Sequence, residues 1–259
     1  MDLAIETLLF LAGIAFLAGS IDALAGGGGL LTIPALMAAG VPPVSALATN
    51  KLQSSVGTAS AFAAFLRGGH VDLRRFIWPV IAAVSGSMIG ATAVQHIDPA
   101  FLTAFVPLLL IAMCVYFIAA PKMGAADRKA RLGKVGLTVV TGCIGFYDGF
   151  FGPGTGSFLT TALVALGGLG LIRAIANTKL LNLSTNMAGL AAMIAGGKVL
   201  WLLGFTMALA NVAGNQLGAW YAMRFSGKGV RPLLVIMSAA LSVKLLSDPA
   251  NPIWQWFSS

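Results

Sequence analysis

The stretch GSIDALAGGGGLLTIPAL, residues 19–36, connects two apolar segments through four consecutive glycines. A related stretch, GFYDGFFGPGTGSFLTTAL, occupies residues 145–163. At an offset of 126, the first copy shares four residues with the second: Gly19, Asp22, Gly26 and Gly28 match Gly145, Asp148, Gly152 and Gly154. Glycine-interrupted hydrophobic segments at matching positions of two halves indicate the substrate site of a membrane transporter.

A lysine follows each glycine segment. ALATNKLQSS begins at Ala46 and AIANTKLLNLS begins at Ala174, so that Lys51 and Lys179 match at an offset of 128. The same offset pairs further glycines and alanines along the following residues. The chain therefore contains one unit twice.

Composition fixes the broad class of protein. Hydrophobic residues make up 58% and charged residues 9% of the 259 positions, whereas a soluble domain has about 25% charged residues. A helix needs roughly 20 apolar residues to cross the hydrocarbon core, so about ten such segments would use most of this chain. The apolar runs are continuous rather than alternating, which excludes a β-barrel. We predict an all-α polytopic integral membrane protein with a single membrane domain over residues 1–259.

The net charge of +8 is explained by membrane topology and not by a nucleic-acid partner. The positive-inside rule assigns three short basic loops to the cytoplasm. Their basic residues are Arg67, Arg74 and Arg75; Lys122, Arg128, Lys129, Arg131 and Lys134; and Arg224, Lys228 and Arg231. The loops at 95–99, 196–198 and 248–252 are poor in positive charge and are expected on the external face. Trp254 and Trp256 suit an aromatic belt at the interface.

Matching loops of the two copies have opposite charge bias, which predicts two inverted repeats. The loop at 68–75 is basic and its counterpart at 196–203 carries only Lys198. We place repeat one at 1–120, a cytoplasmic linker at 121–134 and repeat two at 135–259, with both termini on the external face. The helical segments are expected near 3–24, 28–44, 46–66, 76–95 and 100–119, then 135–150, 153–172, 174–195, 203–223 and 232–247. Those at 28–44 and 153–172 start in glycine turns, so the expected number of membrane-crossing segments is 8–10.

The first glycine turn (residues 26–29) and the second glycine turn (residues 152–156) suit an anion site. Each glycine costs about 1 kcal/mol relative to alanine within a helix, so a run of four favours an unwound turn. A helix that begins there presents unpaired backbone N–H groups and the positive end of its dipole. The candidate anion-binding residues are Gly26, Gly27, Gly28, Gly29, Gly152, Gly154, Thr155 and Gly156. Close helix packing or a hinge is the alternative.

Each lysine begins a polar stripe on its helix. Lys51, Ser54 and Thr58 share one helix face. The equivalent positions of the second copy hold Lys179, Asn182 and Asn186. A lysine within the membrane costs about 3 kcal/mol unless it is paired or faces a cavity. We predict a polar cavity shared by both stripes, with further candidates at Asn50, Gln53, Asn177 and Thr178.

The alternative to this cavity is that each lysine snorkels to the surface or pairs with Asp22 or Asp148. Two roles are open for these aspartates: carriers of a proton coupled to transport, or residues that cap a helix end or neutralise a lysine. No nucleotide-binding loop, Cys pair, HExxH motif or His pair for haem is present. No cofactor, no metal and no enzymatic activity are therefore expected.

The segments AGGGGLLTIPAL, ALATNKLQ and GFYDGFFGPGTGSF resemble the TauE/SafE family of bacterial membrane permeases, often named sulfite exporters. The resemblance spans nearly the whole chain. It implies a multi-pass protein of the bacterial inner membrane that moves small anions, typically sulfite, sulfoacetate or related organosulfur compounds. The motif ATNKLQ falls on residues 48–53, whereas the second half has ANTKLLN, so that Thr178 stands where Asn50 does.

Residues and resemblance together predict a secondary transporter or facilitator of small anions that works by alternating access around a site between the repeats. A passive anion channel and a non-transport membrane accessory subunit are the alternatives. The expected partners are a small anionic substrate and the lipid bilayer, with a coupled proton and a homo-oligomer left open.

Overall fold

The structure is a computed structural model that describes residues 4–119, 127–225, 230–247 and 251–254. Its main helices, in chain order, are α1 (Ile5–Ala25), α2 (Gly29–Ala38), α3 (Pro43–Arg67), α4 (Leu73–Val94), α5 (Pro99–Ala119), α6 (Lys134–Phe150), α7 (Thr155–Ala165), α8 (Leu171–Ala195), α9 (Trp201–Phe225) and α10 (Val230–Leu246). Some predicted features lie outside the described residues: Lys122, Lys228, Trp256, linker residues 121–126 and loop residues 248–250.

The described part of the chain is helical, and the prediction of an all-α polytopic membrane protein is confirmed. Three described helices are long and apolar enough to cross a membrane, at Ile5–Ala23, Leu73–Val94 and Pro99–Tyr116. The lysine helices α3 and α8 have 25 residues each, but both carry a series of buried polar side chains. The polar residues lower the mean hydropathy of α3 and α8, although both helices are long enough to cross a membrane.

The helices that follow the glycine turns are shorter than the segments expected at 28–44 and 153–172. α2 has 10 residues and α7 has 11, which gives lengths of about 15 Å, half the hydrocarbon core. α2 ends before Gly40, which has a φ of 83° and turns the chain into Pro42 and Pro43 at the start of α3. Proline fits the first position of a helix because it has no N–H to leave unpaired.

Helices of the two sequence halves interleave. α1 packs along α9, and α9 packs on α3. In the same way, α6 packs along α4, and α4 packs on α8. Because α3 and α8 also meet, the six helices form a row in the order α6–α4–α8–α3–α9–α1. Every contact in this row has a counterpart about the α3–α8 pair, as expected for halves related by a two-fold axis. That the halves have opposite membrane orientation stays a prediction of the charge pattern.

Glycines make the outer contacts of this row tight. A Cβ on Gly86 or Gly90 of α4 would overlap backbone oxygens of α6. A Cβ on the equivalent Gly214 or Gly218 of α9 would overlap backbone oxygens of α1. These four glycines, which match at offset 128, are thus points of close approach between two helix backbones, a common use of small residues in membrane proteins.

The described part of the linker binds the loop between α7 and α8. Asp127 accepts a hydrogen bond from the Gly170 N–H at 2.6 Å and pairs with Arg173, while the Arg128 N–H donates to Gly168 O at 2.8 Å. The bond from Gly170, helped by Arg173, holds the pKa of Asp127 below its ordinary value of 3.8. Because the folded-state pKa is lowered, this contact is fully present above the ordinary value and is lost as the pH falls through the lowered one.

Gly90→Ala is expected to destabilise the protein, because the added methyl group forces α4 and α6 apart. Overpacking of this kind costs about 1–3 kcal/mol, so the melting temperature of the detergent-solubilised protein falls by several degrees. Gly13→Ala is the matched control, since a Cβ there meets no atom within 4 Å. Equal melting temperatures for the two variants would contradict the tight packing of α4 on α6.

Asp127→Asn is expected to release the linker at neutral pH, because the amide has no charge for Arg173 and is a weaker acceptor for the Gly170 N–H. Limited trypsin digestion measures this as faster cleavage after Arg128 and Lys129. Asp98→Asn, in the loop before α5, is the control that keeps the same change of net charge. Unchanged cleavage at the linker would show that Asp127 does not hold it.

Candidate functional site

Lys51 of α3 is almost fully buried, with 1% of its surface exposed. Its Nζ donates to Asp148 Oδ2 of α6 at 2.7 Å. The end of its aliphatic chain lies against Gly189 of α8, where a Cβ would stand 3.1 Å from Lys51 Cε. Lys51 Nζ also lies at the second glycine turn, 3.4 Å from the position of a Cβ on Gly152.

Lys179 of α8 forms the equivalent pair with Asp22 of α1. Its Nζ donates to Asp22 Oδ2 at 3.0 Å and also to the backbone oxygen of Asp22. Asp22 Oδ1 accepts a second hydrogen bond, from the Gly28 N–H at 3.3 Å. Asp22 therefore both neutralises Lys179 and caps the turn that leads into α2.

The two ion pairs cross between the sequence halves. Lys51 of the first half binds Asp148 of the second, and Lys179 of the second half binds Asp22 of the first. Neither lysine snorkels to the surface. A buried pair adds little net stability, because its desolvation cost offsets its attraction, but loss of one partner costs about 3–5 kcal/mol.

The glycine turns meet between the two ion pairs. Gly26, Gly152 and Gly154 have φ values of 69°, 100° and 80°, in a region that side chains strongly disfavour. Gly26 lies directly on Gly156, with no room for a Cβ on either residue. This close contact and the positive φ values show that part of the glycine run serves packing and turn geometry.

The same turns also present unpaired donors. Among the described residues, no hydrogen-bond acceptor is found for the N–H groups of Gly27, Gly154 and Gly156, although all three glycines are buried. Thr155 instead turns its hydroxyl back onto Gly152 O at 2.7 Å. Gly29 packs against Pro153 of the other turn. Buried N–H groups at helix starts are the donors that bind anions in proteins.

Each short helix is tied to the lysine helix of its own half by one side-chain hydrogen bond. Thr32 donates to Asn50 Oδ1 at 2.6 Å, and Thr160 donates to Thr178 Oγ1 at 3.1 Å. Gln53 also donates to Asn50 Oδ1, at 3.0 Å. The partners of Asn50 and Thr178 are therefore protein side chains. The sequence analysis missed Thr32 and Thr160, although they too match at the offset of 128.

The polar stripes beyond the lysines are buried rather than open. Thr58 is 1% exposed, and its Oγ1 has no partner among the described residues; Ser54 is half-buried. Asn186 donates to Asn182 O and Oδ1 at 2.8 and 3.0 Å. The described residues form no open cavity lined by both stripes, and the shared cavity stays a prediction.

Two pockets lie along α8, and neither is lined by Lys51 or Lys179. One is an apolar groove of about 430 Å³ between α3 and α8. The other, of about 570 Å³, includes His96 and Lys198 at the end of α4 and α8. No group of three His, Cys, Asp or Glu residues that could hold a metal ion occurs in the described ranges.

Asn177 lies away from the ion pairs. Its Oδ1 accepts from the Asp72 N–H at 2.9 Å and its Nδ2 donates to Arg173 O at 2.7 Å. The equivalent Thr49 accepts from the Leu200 N–H at 3.3 Å. Two positions along a helix differ by about 200°, so Asn177 and Lys179 point to opposite sides of α8. Asn177 and Thr49 thus anchor loops at the starts of α4 and α9.

Comparison with known proteins identifies membrane transporters over nearly the full length. The family model described as sulfite exporter TauE/SafE matches residues 11–245. A probable membrane transporter protein (ORF9) from Sinorhizobium sp is 43% identical over 256 residues, covering 98% of each chain. The probable membrane transporter protein YfcA of Escherichia coli (strain K12) is 46% identical over 236 residues, covering 91% of this chain and 88% of YfcA. A probable membrane transporter protein of Haemophilus influenzae is 44% identical over 250 residues, covering 96% and 98%. No solved structure matches the chain significantly.

Lys51→Met is expected to lower the free energy of unfolding by about 3–5 kcal/mol, because it leaves the Asp148 carboxylate buried without its counter-charge. Adding Asp148→Asn to the same protein should restore most of that loss, since no charge then remains unpaired. Thermal unfolding in detergent measures both. Arg173→Met is the control: its partner Asp127 is exposed, and little change is expected. A double variant as unstable as Lys51→Met alone would contradict the pairing.

Proposed function

This chain belongs to the sulfite exporter TauE/SafE family of membrane transporters, and on that premise we propose that it carries small anions by alternating access around the two crossed ion pairs. The turns touch in the described conformation, and the anion binds between them when they separate. Unpaired N–H groups of Gly27, Gly154 and Gly156 supply donors there, and Lys51 and Lys179 supply positive charge.

The observation that carries this proposal is the position of the two buried ammonium groups at a junction of helix starts. Lys51 touches the second glycine turn, and Lys179 pairs with the aspartate that caps the first. A structural ion pair satisfies each lysine but leaves these N–H groups unsatisfied, because an ammonium group and a backbone N–H are both donors. An anion is the partner that these N–H groups lack, and Lys51 Nζ, although paired with Asp148, lies close enough to the second glycine turn to share it.

The family and the charge pattern support a proposal for the substrate and the location. The family description supports sulfite, and sulfoacetate or related organosulfur anions have the same oxyanion chemistry. We propose the bacterial inner membrane as the location, with inverted repeats and both termini external, because the basic loops then lie on the cytoplasmic side.

The interleaved packing indicates which parts move. α1, α3 and α9 form one three-helix group, and α4, α6 and α8 form the other. Within each group the glycine contacts hold helices backbone to backbone, whereas each ion pair joins one group to the other. We propose that these two groups rock against each other, with α3 and α8 as the contact surface. The moving bodies are then not the sequence halves.

A passive anion channel is the second candidate, and an accessory subunit without transport activity is the third. Both lysines are 1% exposed, so no open aqueous pore reaches their ammonium groups in this conformation. A closed site favours a carrier, because a carrier must pass through an occluded state.

Saturable uptake of labelled sulfite, sulfate or a small sulfonate into proteoliposomes is expected for the wild type, with counterflow by unlabelled anion. In the Lys51→Ala/Lys179→Ala protein the flux should fall at least tenfold, because the anion loses both counter-charges. The Lys134→Ala/Lys198→Ala protein is the matched control, with two exposed lysines removed.

The possible results separate the candidates. Absence of any anion flux in the wild type would reject the substrate class and favour an accessory subunit. Flux that rises linearly with concentration and shows no counterflow would favour a channel. Full flux in the Lys51→Ala/Lys179→Ala protein would reject the site.

A further inference from the structure

The two carboxylates of the site are held differently. Asp22 accepts hydrogen bonds on both side-chain oxygens, from Lys179 Nζ and from the Gly28 N–H, and its side chain is 14% exposed. Asp148 is 2% exposed, and among the described residues its one donor is Lys51 Nζ. Loss of the lysine would therefore leave Asp22 with a donor and some solvent, but Asp148 without a donor and with almost no solvent.

The helices around Asp148 offer no second charge. α4 contacts this part of α6 through Ser87, and the arginines of α4 lie in its first turn. α7 has no titratable side chain, and Lys179 of α8 is committed to Asp22. The neighbouring Tyr147 donates its hydroxyl hydrogen to Pro153 O at 2.6 Å. In the described region, Lys51 and Tyr147 are thus the titratable groups that face Asp148.

The Lys51–Asp148 pair lies against the second glycine turn. A Cβ on Gly152 would stand 3.4 Å from Lys51 Nζ and 3.5 Å from Asp148 Oδ1. An anion held by the N–H groups of Gly154 and Gly156 therefore competes with Asp148 for the same ammonium. A buried carboxylate that loses its counter-charge is costly and is readily neutralised by a proton.

We propose that Asp148 binds a proton that is carried together with the anion, one proton per anion, while Asp22 stays ionised and holds the first glycine turn. The proposal rests on the anion transport proposed above. The empty pair is neutral; the anion adds one negative charge, and protonation of an Asp148 oxygen removes it. When anion and proton leave, the ion pair between Lys51 and Asp148 forms again.

Proton uptake on anion binding tests this assignment directly. Purified protein in weakly buffered detergent near neutral pH is mixed with methanesulfonate, which stays fully ionised and so carries no proton of its own. A pH-sensitive dye reports protons taken up, and labelled methanesulfonate reports anion bound. One proton per bound anion is expected for the wild type and none for Asp148→Asn. Asp98→Asn, which removes an exposed carboxylate outside the site, is the matched control and should still take up one proton per bound anion.

Each outcome bears on the proposal. Wild-type binding without proton uptake would reject the proton but keep anion binding, whereas absence of both binding and flux would reject the proposed function and this inference with it. Uptake that persists in Asp148→Asn would overturn the assignment. If Asp148→Asn does not fold, Asp148→Glu decides: the uptake should persist with a displaced pH profile, and an unchanged profile would place the proton elsewhere.

Discussion

Burial of two ammonium groups is the constraint on which this structure depends. Each costs about 3 kcal/mol or more in a membrane interior unless a counter-charge reaches it. Both counter-charges come from the opposite half, through Asp148 for Lys51 and Asp22 for Lys179. α6 must therefore reach α3, and α1 must reach α8. The interleaved row of helices satisfies this requirement, and the glycine contacts between α4 and α6 bring Asp148 close enough to Lys51.

Much of the helical architecture can be predicted from the sequence. The segments expected at 100–119 and 232–247 correspond to α5 (Pro99–Ala119) and α10 (Val230–Leu246), because long apolar runs bounded by polar loops leave few alternatives. α2 is about half as long as a membrane-spanning helix because it begins in the glycine turn and ends before the Gly40–Pro43 segment. A hydropathy pattern does not detect these two breaks. Membership of the TauE/SafE family was also predictable, because its motifs are long and specific.

The partners within the site could not be predicted in the same way. Pairing of Lys51 with Asp22 or with Asp148 satisfies the sequence equally well, and only the packing of α6 against α4 and α8 decides between them. Asn177 and Thr178 are adjacent in sequence, yet one binds a loop and the other binds α7. The two side chains point in different directions from α8, and treating adjacent polar residues as one site ignores this difference. The repeat itself contained a further signal, since Thr32 and Thr160 match at the offset of the lysines.

The group of α1, α3 and α9 and the group of α4, α6 and α8 also differ in the polar residues near the lysines. Asn215 of α9 stands at the position equivalent to Ser87 of α4. Thr58 of α3 stands at the position equivalent to Asn186 of α8. Ser87 and Asn186 have their hydrogen bonds, whereas Asn215 Oδ1, Thr58 Oγ1 and Gln53 Oε1 are buried acceptors without a partner in the described region. Unpaired acceptors cost about 1–3 kcal/mol each, and here they are confined to α3 and α9. In the described region, the polar side chains of α3 and α9 are therefore less fully hydrogen-bonded than those of α4 and α8.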